Sequence, residues 1–161
     1  MSRSADVVLA PVEPQDAGEL LTLQRAAYVT EAQRYGDPEL PALTQTLDEL
    51  RDELAGSLAL KAVEGHRMVG AVRARVDGPV LHVGRLTTAP DRQGRGIGSR
   101  LLAAVEAGHG PDVRTVALFT GHLSAGNLAL YGRRGYVERR REPLRPGVVL
   151  VHLTKPLGLL T

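Results

Sequence analysis

The stretch "APDRQGRGIGSRLL", Ala89–Leu102, places three glycines at alternate positions directly before an apolar segment with helical spacing. Its glycines are Gly94, Gly96 and Gly98, and its arginines are Arg92, Arg95 and Arg100. The first turn of a helix leaves backbone N–H groups without partners and carries about half a positive charge, so it attracts anions. Glycine lets an anion come close to the backbone because it has no Cβ. The stretch therefore predicts a phosphate-binding loop at the start of a helix.

The glycine spacing separates this loop from two common phosphate-binding motifs. A Walker A loop needs a lysine after its last glycine, and no lysine follows here. A dinucleotide-binding loop has the pattern G-x-G-x-x-G after the first strand of a parallel sheet. The glycines here are spaced G-x-G-x-G and follow what we count as the fourth strand. Neither motif fits the sequence well.

The composition predicts one soluble domain, residues 1–161, that stays in the cytoplasm. Of the 161 residues, 43% are hydrophobic and 24% are charged. No apolar run reaches the roughly 18 residues of a membrane span, and the N-terminus lacks the basic start and apolar stretch of a signal peptide. The absence of cysteine excludes disulfides, zinc–thiolate sites and thiol nucleophiles, and a formal net charge of +2 is too small to indicate nucleic-acid binding. We expect no metal, no membrane and no nucleic-acid partner.

The N-terminal half of the sequence predicts a strand and two helices followed by three strands. A β-rich run at Ala5–Val12 precedes an apolar pattern with helical spacing. One glycine and two prolines indicate a loop over Gln33–Leu43, and Thr46 with Glu49 forms a capping-box pattern that opens a second helix. Three β-type runs separated by turn residues then occupy residues 58–88. These runs predict a meander of antiparallel strands.

The middle run of this meander alternates apolar residues with arginines. Val72, Ala74 and Val76 alternate with Arg73 and Arg75. Alternation with a period of two is typical of a strand that has one face in the core and the other in water. We therefore expect both arginines to be solvated.

The C-terminal half returns to helical spacing at Gly96 and then predicts a strand, a short helix and two strands. The short helix begins at Ser124 and is closed by Gly135. The complete order is βα, α, βββ, α, β, α, ββ, without a repeat or linker to divide it. The expected fold class is α/β of the α+β type, with a mixed, mainly antiparallel sheet of about seven strands and about four flanking helices.

The pattern that does fit the loop is Gln93-x-x-Gly96-x-Gly98, and it has two matching flanks. The strand before it ends in "RLTTAP", Arg85–Pro90, and the later helix carries "LY" followed by a "GY" pair at Gly135 and Tyr136. In these features and in its element order, nearly the whole chain resembles the GNAT superfamily of acetyl-coenzyme A-dependent N-acetyltransferases.

The resemblance implies a role for each residue that matches the family's motifs. The loop residues would bind the coenzyme's pyrophosphate: Gln93, Gly94, Arg95, Gly96, Ile97, Gly98 and Ser99. The end of the fourth strand, at Leu86, Thr87 and Thr88, would pair its backbone with the pantetheine arm, and the fourth and fifth strands would splay apart to admit that arm. Tyr131 matches the tyrosine beside the thioester sulfur and would act as the general acid.

Two roles stay open at this stage. In the family, an asparagine about two helical turns before the tyrosine often contacts the coenzyme. Here Ser124 occupies the position of that asparagine, and Asn127 lies one turn from Tyr131. Either residue could contact the coenzyme, or Ser124 could cap the helix. A general base is useful because an amine acceptor is protonated at neutral pH, yet the fourth strand has no carboxylate. His122 is the first candidate for the general base, and His82 is the second. For each of them the alternative is a solvent-exposed or structurally hydrogen-bonded histidine.

The expected function is transfer of an acetyl group from acetyl-coenzyme A, as co-substrate, to a primary amine by direct attack, with no metal. The alternative is a coenzyme A-binding regulatory or interaction domain without turnover. The amine acceptor, a small molecule or a peptide, is expected to contact Tyr28, Tyr35 and the Gly36–Pro41 segment. The sequence leaves the acceptor's identity and the choice between monomer and homodimer open.

Overall fold

A computed structural model of the protein describes residues 6–108 and 110–158, and its centre is a seven-stranded mixed sheet. Ala5, the first residue of the predicted opening strand, lies outside the described residues. The strands are β1 Val7–Pro11, β2 Leu58–Glu64, β3 Arg67–Asp77, β4 Val80–Thr88, β5 Thr115–Gly121, β6 Val137–Arg145 and β7 Val148–Pro156. Their order across the sheet is β1-β2-β3-β4-β5-β7-β6, antiparallel except for the β4–β5 pair. The predicted fold class is confirmed.

The described residues form five α-helices, one more than the sequence predicted. They are α1 Ala17–Tyr35, α2 Pro41–Thr44, α3 Leu47–Ala55, α4 Ile97–Ala107 and α5 Ala125–Arg133. The predicted loop at Gln33–Leu43 is wrong at both ends, because α1 continues to a left-handed Gly36 and proline opens α2. The predicted capping box is present, with the Glu49 N–H donating to Thr46 Oγ1 at 3.1 Å.

Helices cover both faces of the centre of the sheet. A Cβ built on Gly70 of β3 would lie 2.8 Å from Ile97 Cγ2 and 3.0 Å from Leu101 Cδ1, so α4 packs directly on this face. On the opposite face, Arg73 of β3 hydrogen-bonds Gln24 of α1. The strand is therefore buried on both faces from Met68 to Ala74, and the expected solvated arginine face is wrong there.

Arg73 is instead the centre of a buried polar network. Its side chain is only 4% exposed, and it donates to Gln24 Oε1 at 3.0 Å and to Glu53 Oε2 at 3.0 Å. Gln45 donates from its side-chain amide to Glu53 Oε2 at 2.7 Å, which extends the network to the segment between α2 and α3. Burial lowers the pKa of Arg73 below its ordinary value, and the Glu53 carboxylate opposes that effect. This network fixes α1 and α3 over β3.

The fourth and fifth strands separate, as the family resemblance implied. Their parallel pairing joins only Val80–His82 to residues 115–117, and the remaining residues of β4 and β5 do not pair with each other. The edge of β4 from Val83 to Thr88 that faces β5 is therefore open. This gap in the sheet positions the cavity that lies between β4 and β5. None of the described helices has the length and apolar character needed to span a membrane.

Candidate active site

A cavity of about 750 Å³ occupies the gap between β4 and β5. Its walls come from α1 and α2, the open edge of β4, the start of α4, the end of β5, α5 and the β6–β7 hairpin. The site residues predicted from the sequence that line it are Tyr28, Tyr35, Leu86, Thr87, Thr88, Gln93, Gly94, Gly96, Ile97, Gly98, Ser99, Asn127 and Tyr131. Arg95, His122 and Ser124 are not among its lining residues. The fold thus brings most of the predicted residues together around one space.

The start of α4 at one end of the cavity is suited to an anion. Gly96 is the N-cap residue, with φ 77°, and the first intrahelical bond runs from the Arg100 N–H to the Gly96 carbonyl at 3.0 Å. The N–H groups of residues 97–99 therefore have no acceptor within the helix. A Cβ on Gly96 would meet no atom within 4 Å, so open space lies beside it. A pyrophosphate fits this end because donors, positive dipole and space coincide.

The open edge of β4 is suited to an extended ligand arm. Thr87 pairs with Ala71 and Thr88 with Gly70, so β3 uses one edge of this segment and the other edge faces the cavity. Backbone N–H and C=O groups on a free strand edge can pair with an extended chain. The arm would thus run from the α4 terminus towards the point where the strands diverge.

Tyr131 lies in the wall of the cavity with its side chain largely enclosed. It is 5% exposed, its ring lies 5.8 Å from that of Tyr136, and it occupies the second turn of α5. Burial raises the pKa of the Tyr131 phenol well above its ordinary value, and the nearby Tyr28 and Glu31 raise it further. The phenol is therefore neutral throughout the physiological range and can donate its proton or a hydrogen bond.

Ser124 does not cap α5, although it occupies the N-cap position. Its hydroxyl makes no capping bond; it donates to Glu31 Oε2 at 2.7 Å and lies 2.8 Å from the Tyr35 hydroxyl. The Tyr35 oxygen also accepts a hydrogen bond from the Leu123 N–H at 2.9 Å. The buried Ser124 therefore connects the last turns of α1 to the start of α5. Of the two candidate coenzyme contacts, Ser124 and Asn127, only Asn127 lines the cavity.

The structure gives His122 a backbone hydrogen bond. The imidazole Nδ1 accepts a hydrogen bond from the Val149 N–H at 3.1 Å, and the backbone N–H of His122 donates to the Val149 carbonyl at 2.8 Å. A neutral imidazole that accepts at Nδ1 carries its proton on Nε2. His82 is half-buried on the paired part of β4 and does not line the cavity. A role for either histidine as the base stays a prediction.

Sequence reasoning missed several charged residues that line the cavity, among them Glu31 and Arg85. Glu31 follows Tyr28 by three residues on α1, so the two share a helix face, and this spacing was the available signal. Arg85 lies at a β-bulge, where Arg85 and Leu86 of β4 oppose the single residue Val72 of β3. It has φ 51° and is the one non-glycine residue with positive φ among those described. Gly84 directly precedes Arg85 inside the strand, and a glycine inside a strand pattern was the available signal for a bulge.

Comparison with known protein families agrees with this geometry. The sequence profile of the family described as "Acetyltransferase (GNAT) domain" matches residues 31–157. No curated protein sequence is similar enough to count as a match.

Solved structures show the same fold. A GCN5-related N-acetyltransferase from Rhodopseudomonas palustris has 25% sequence identity and a TM-score of 0.77, covering 98% of this chain and 99% of its own. A GNAT-family acetyltransferase from Streptococcus pneumoniae has 18% identity and a TM-score of 0.77, with 94% and 100% covered. The PaiA N-acetyltransferase from Thermoplasma acidophilum, solved in complex with coenzyme A, has 14% identity and a TM-score of 0.75, with 94% and 99% covered.

Proposed function

Because the chain belongs to the GNAT acetyltransferase family, whose profile matches residues 31–157, we propose that it transfers an acetyl group from acetyl-coenzyme A to a primary amine by direct attack. One observation carries the proposal. A single cavity joins the free N–H groups at the start of α4, the open edge of β4 and the enclosed Tyr131 hydroxyl. In the proposed complex the first would bind the pyrophosphate, the second would pair with the pantetheine arm, and the third would protonate the sulfur. The three features follow the order of these parts along the coenzyme.

The coenzyme would lie along three parts of the cavity. Its pyrophosphate would accept hydrogen bonds from the N–H groups at Gln93–Ser99, and its pantetheine arm would pair with Leu86–Thr88. Asn127 is the better placed of the two candidate coenzyme contacts on α5, because it lines the cavity and Ser124 does not. The thioester would then lie beside Tyr131.

The reaction needs one bond to form, one to break and one proton to move. The neutral amine attacks the carbonyl carbon, the new C–N bond forms, and the C–S bond breaks. Coenzyme A leaves as a thiolate, and the Tyr131 phenol donates the proton that makes it a thiol. The amine loses a proton in the same reaction, and that proton returns the phenolate to its neutral form. No acetyl group passes through a protein side chain in this sequence.

Removal of the amine's proton is assigned less directly. His122 remains the predicted base, but while its Nδ1 accepts from the Val149 N–H its Nε2 carries the proton, so Nε2 could accept the amine's proton only after the ring changes tautomer and gives up that bond. Glu31 is a carboxylate in the cavity wall, ion-paired with Arg34, and suits binding of the cationic amine before it is deprotonated. We expect His122→Gln to flatten the acidic limb of the pH profile of kcat/KM. An unchanged limb would exclude His122 as the base.

Thiol release from acetyl-coenzyme A in the presence of a panel of primary amines tests the proposal. We expect amine-dependent release that saturates with both substrates. Tight binding of coenzyme A without release for any amine would instead support the alternative of a regulatory or interaction domain.

A further inference from the structure

Arg85 is a cation of the cavity wall that has no carboxylate partner among the described residues. Five arginines line the cavity: Arg34, Arg85, Arg92, Arg133 and Arg145. Three of them are ion-paired within the protein, with Glu31, Glu64 and Asp37 respectively for Arg34, Arg92 and Arg145. Arg133 is exposed at the end of α5, whereas Arg85 is half-buried. Arg85 is therefore the partly enclosed cation of the cavity wall whose charge no carboxylate of the described residues matches.

The surroundings of Arg85 hold its side chain in place. Its guanidinium carbon lies 5.8 Å from the centre of the Tyr28 ring, and its Nε is buried without a hydrogen-bond acceptor in the described structure. The guanidinium is attracted to this ring, and its hydrogen bonding to the Tyr28 hydroxyl leaves other N–H groups for a planar anion. Because Nε is buried, the terminal N–H groups are the donors that a ligand can reach.

The backbone at Arg85 is also strained. Glycine is the usual residue at the left-handed position of such a bulge, and asparagine tolerates the conformation better than arginine does. Strain of this kind persists where the surrounding structure imposes it, and it concentrates at ligand sites. An arginine in this position, with φ 51°, therefore suggests that its side chain has a function there.

The cavity wall around Tyr28, where the amine acceptor is predicted to lie, carries both a positive and a negative side chain. Arg85 and Glu31 both act on Tyr28: burial raises the pKa of the Tyr28 phenol, Arg85 opposes this, and Glu31 adds to it. The two charged groups therefore lie on the same part of the wall. Arg85 precedes the end of β4 by three residues, roughly 10 Å along a strand, which separates it from the phosphate end of the cavity.

We propose that the amine acceptor also carries a carboxylate, as a free amino acid does, and that Arg85 binds this carboxylate. The inference rests on the proposed acetyl transfer. The two terminal nitrogens of the guanidinium would donate a pair of hydrogen bonds to the two carboxylate oxygens. The Glu31 carboxylate, which already pairs with Arg34 and accepts from Ser124, would share its negative charge with the ammonium group of the same molecule, and the amine would be held towards Tyr131.

Matched acceptors and matched variants test this assignment. Each acceptor pair is an amino acid and the amine that lacks only its carboxylate, compared by kcat/KM for thiol release. The variants are Arg85→Asn, which tolerates the left-handed backbone, and Arg85→Lys, which keeps the charge but loses the fork. Arg75→Gln is the control, because Arg75 is an exposed arginine on β3 outside the cavity.

We expect the wild-type protein to prefer the amino acids. Arg85→Asn should lower kcat/KM for them about 10- to 100-fold, with partial recovery in Arg85→Lys, and should change the carboxylate-free amines by no more than about twofold. Arg75→Gln should leave all rates unchanged. Equal loss on both members of each pair, or a wild-type preference for the carboxylate-free amines, would overturn the proposal. A weaker affinity of Arg85→Asn for coenzyme A itself would also overturn it, since the cation would then serve the coenzyme.

Binding separates this inference from the proposed reaction. Calorimetric titration of the same amino acids into the protein saturated with coenzyme A needs no turnover. Amino-acid binding that depends on Arg85, without any thiol release, would contradict the proposed reaction and support the carboxylate site. Thiol release with carboxylate-free amines and no Arg85-dependent binding would do the reverse.

Discussion

Two neighbouring tyrosines differ in what their hydroxyl groups meet. Tyr131 lines the cavity, whereas the Tyr136 hydroxyl is buried and has no hydrogen-bond partner among the described residues. Burial raises the pKa of both phenols, so both are neutral at physiological pH. The centres of their rings lie 5.8 Å apart, so removal of the Tyr136 hydroxyl is a matched control for removal of the Tyr131 hydroxyl.

Removal of the Tyr131 hydroxyl should slow the reaction without unfolding the protein. Tyr131→Phe keeps the ring and most of its packing, and we expect kcat to fall about 10- to 1000-fold because the thiolate loses its proton donor. Coenzyme A affinity, measured by calorimetry, should change little. Tyr136→Phe should keep the wild-type kcat and lose no stability, since it removes a buried hydroxyl that has no partner. A wild-type rate for Tyr131→Phe, with chemistry shown to be rate-limiting, would reduce Tyr131 to a packing residue.

At the scale of single elements, the loop before α4 is the proposed pyrophosphate site. Gly96→Val adds a branched side chain where the structure has open space beside the free N–H groups, at a φ of 77°. We expect coenzyme A affinity to fall more than about tenfold, or 1.4 kcal/mol, in calorimetry. Gly65→Val is the control, because Gly65 has φ 64° and open space but lies in the β2–β3 turn, outside the cavity. Similar affinities for the two variants would show that the loop does not hold the pyrophosphate.

The contact between α4 and β3 fixes the helix whose first turn forms that loop. A methyl group on Gly70 would lie 2.8 Å from Ile97 Cγ2 and 3.2 Å from the Thr87 carbonyl oxygen. We expect Gly70→Ala to lower the free energy of unfolding by about 1–3 kcal/mol, because the added atom overpacks the contact. Gly18→Ala, on α1 with no atom within 4 Å of the new methyl, should be neutral or slightly stabilising. Denaturant unfolding measures both; equal effects would contradict the close packing.

At the scale of the whole molecule, three tyrosines with raised pKa values predict how stability depends on alkaline pH. Burial raises the pKa of Tyr28, Tyr131 and Tyr136 in the folded protein. Above the unfolded value, about 10, the unfolded chain releases these protons while the folded protein keeps them, so stability falls as pH rises. Each group contributes up to about 1.4 kcal/mol per pH unit.

Denaturant unfolding between neutral pH and pH 11 checks this expectation. The contribution of these tyrosines to the free energy of unfolding should stay constant up to about pH 9 and then fall. The fall should be shallower in Tyr136→Phe. A wild-type curve and a Tyr136→Phe curve with the same slope above about pH 10 would contradict burial of the Tyr136 phenol.

Much of the architecture can be predicted from the sequence, because turn residues and periodicity mark the strands. The predicted run at residues 58–64 coincides with β2, and the one at residues 67–78 extends one residue beyond β3. The sequence could not predict the burial of Arg73, since its partners Gln24 and Glu53 are distant along the chain and only the fold brings them together. Glu31 and the bulge at Arg85 do have local signals, the helical spacing from Tyr28 and the neighbouring Gly84, but the cavity that Glu31 and Arg85 share depends on tertiary structure.

The fate of the acetyl group tests the central claim most directly. Acetyl-coenzyme A with an isotopically labelled acetyl group is incubated with the protein, first alone and then with an amine that supports thiol release, and mass spectrometry follows the label. Direct attack predicts an unmodified protein in the first step and, in the second, labelled amide in an amount equal to the thiol released. A stable acetyl group on the protein that later passes to the amine, or thiol release without labelled amide, would contradict the account.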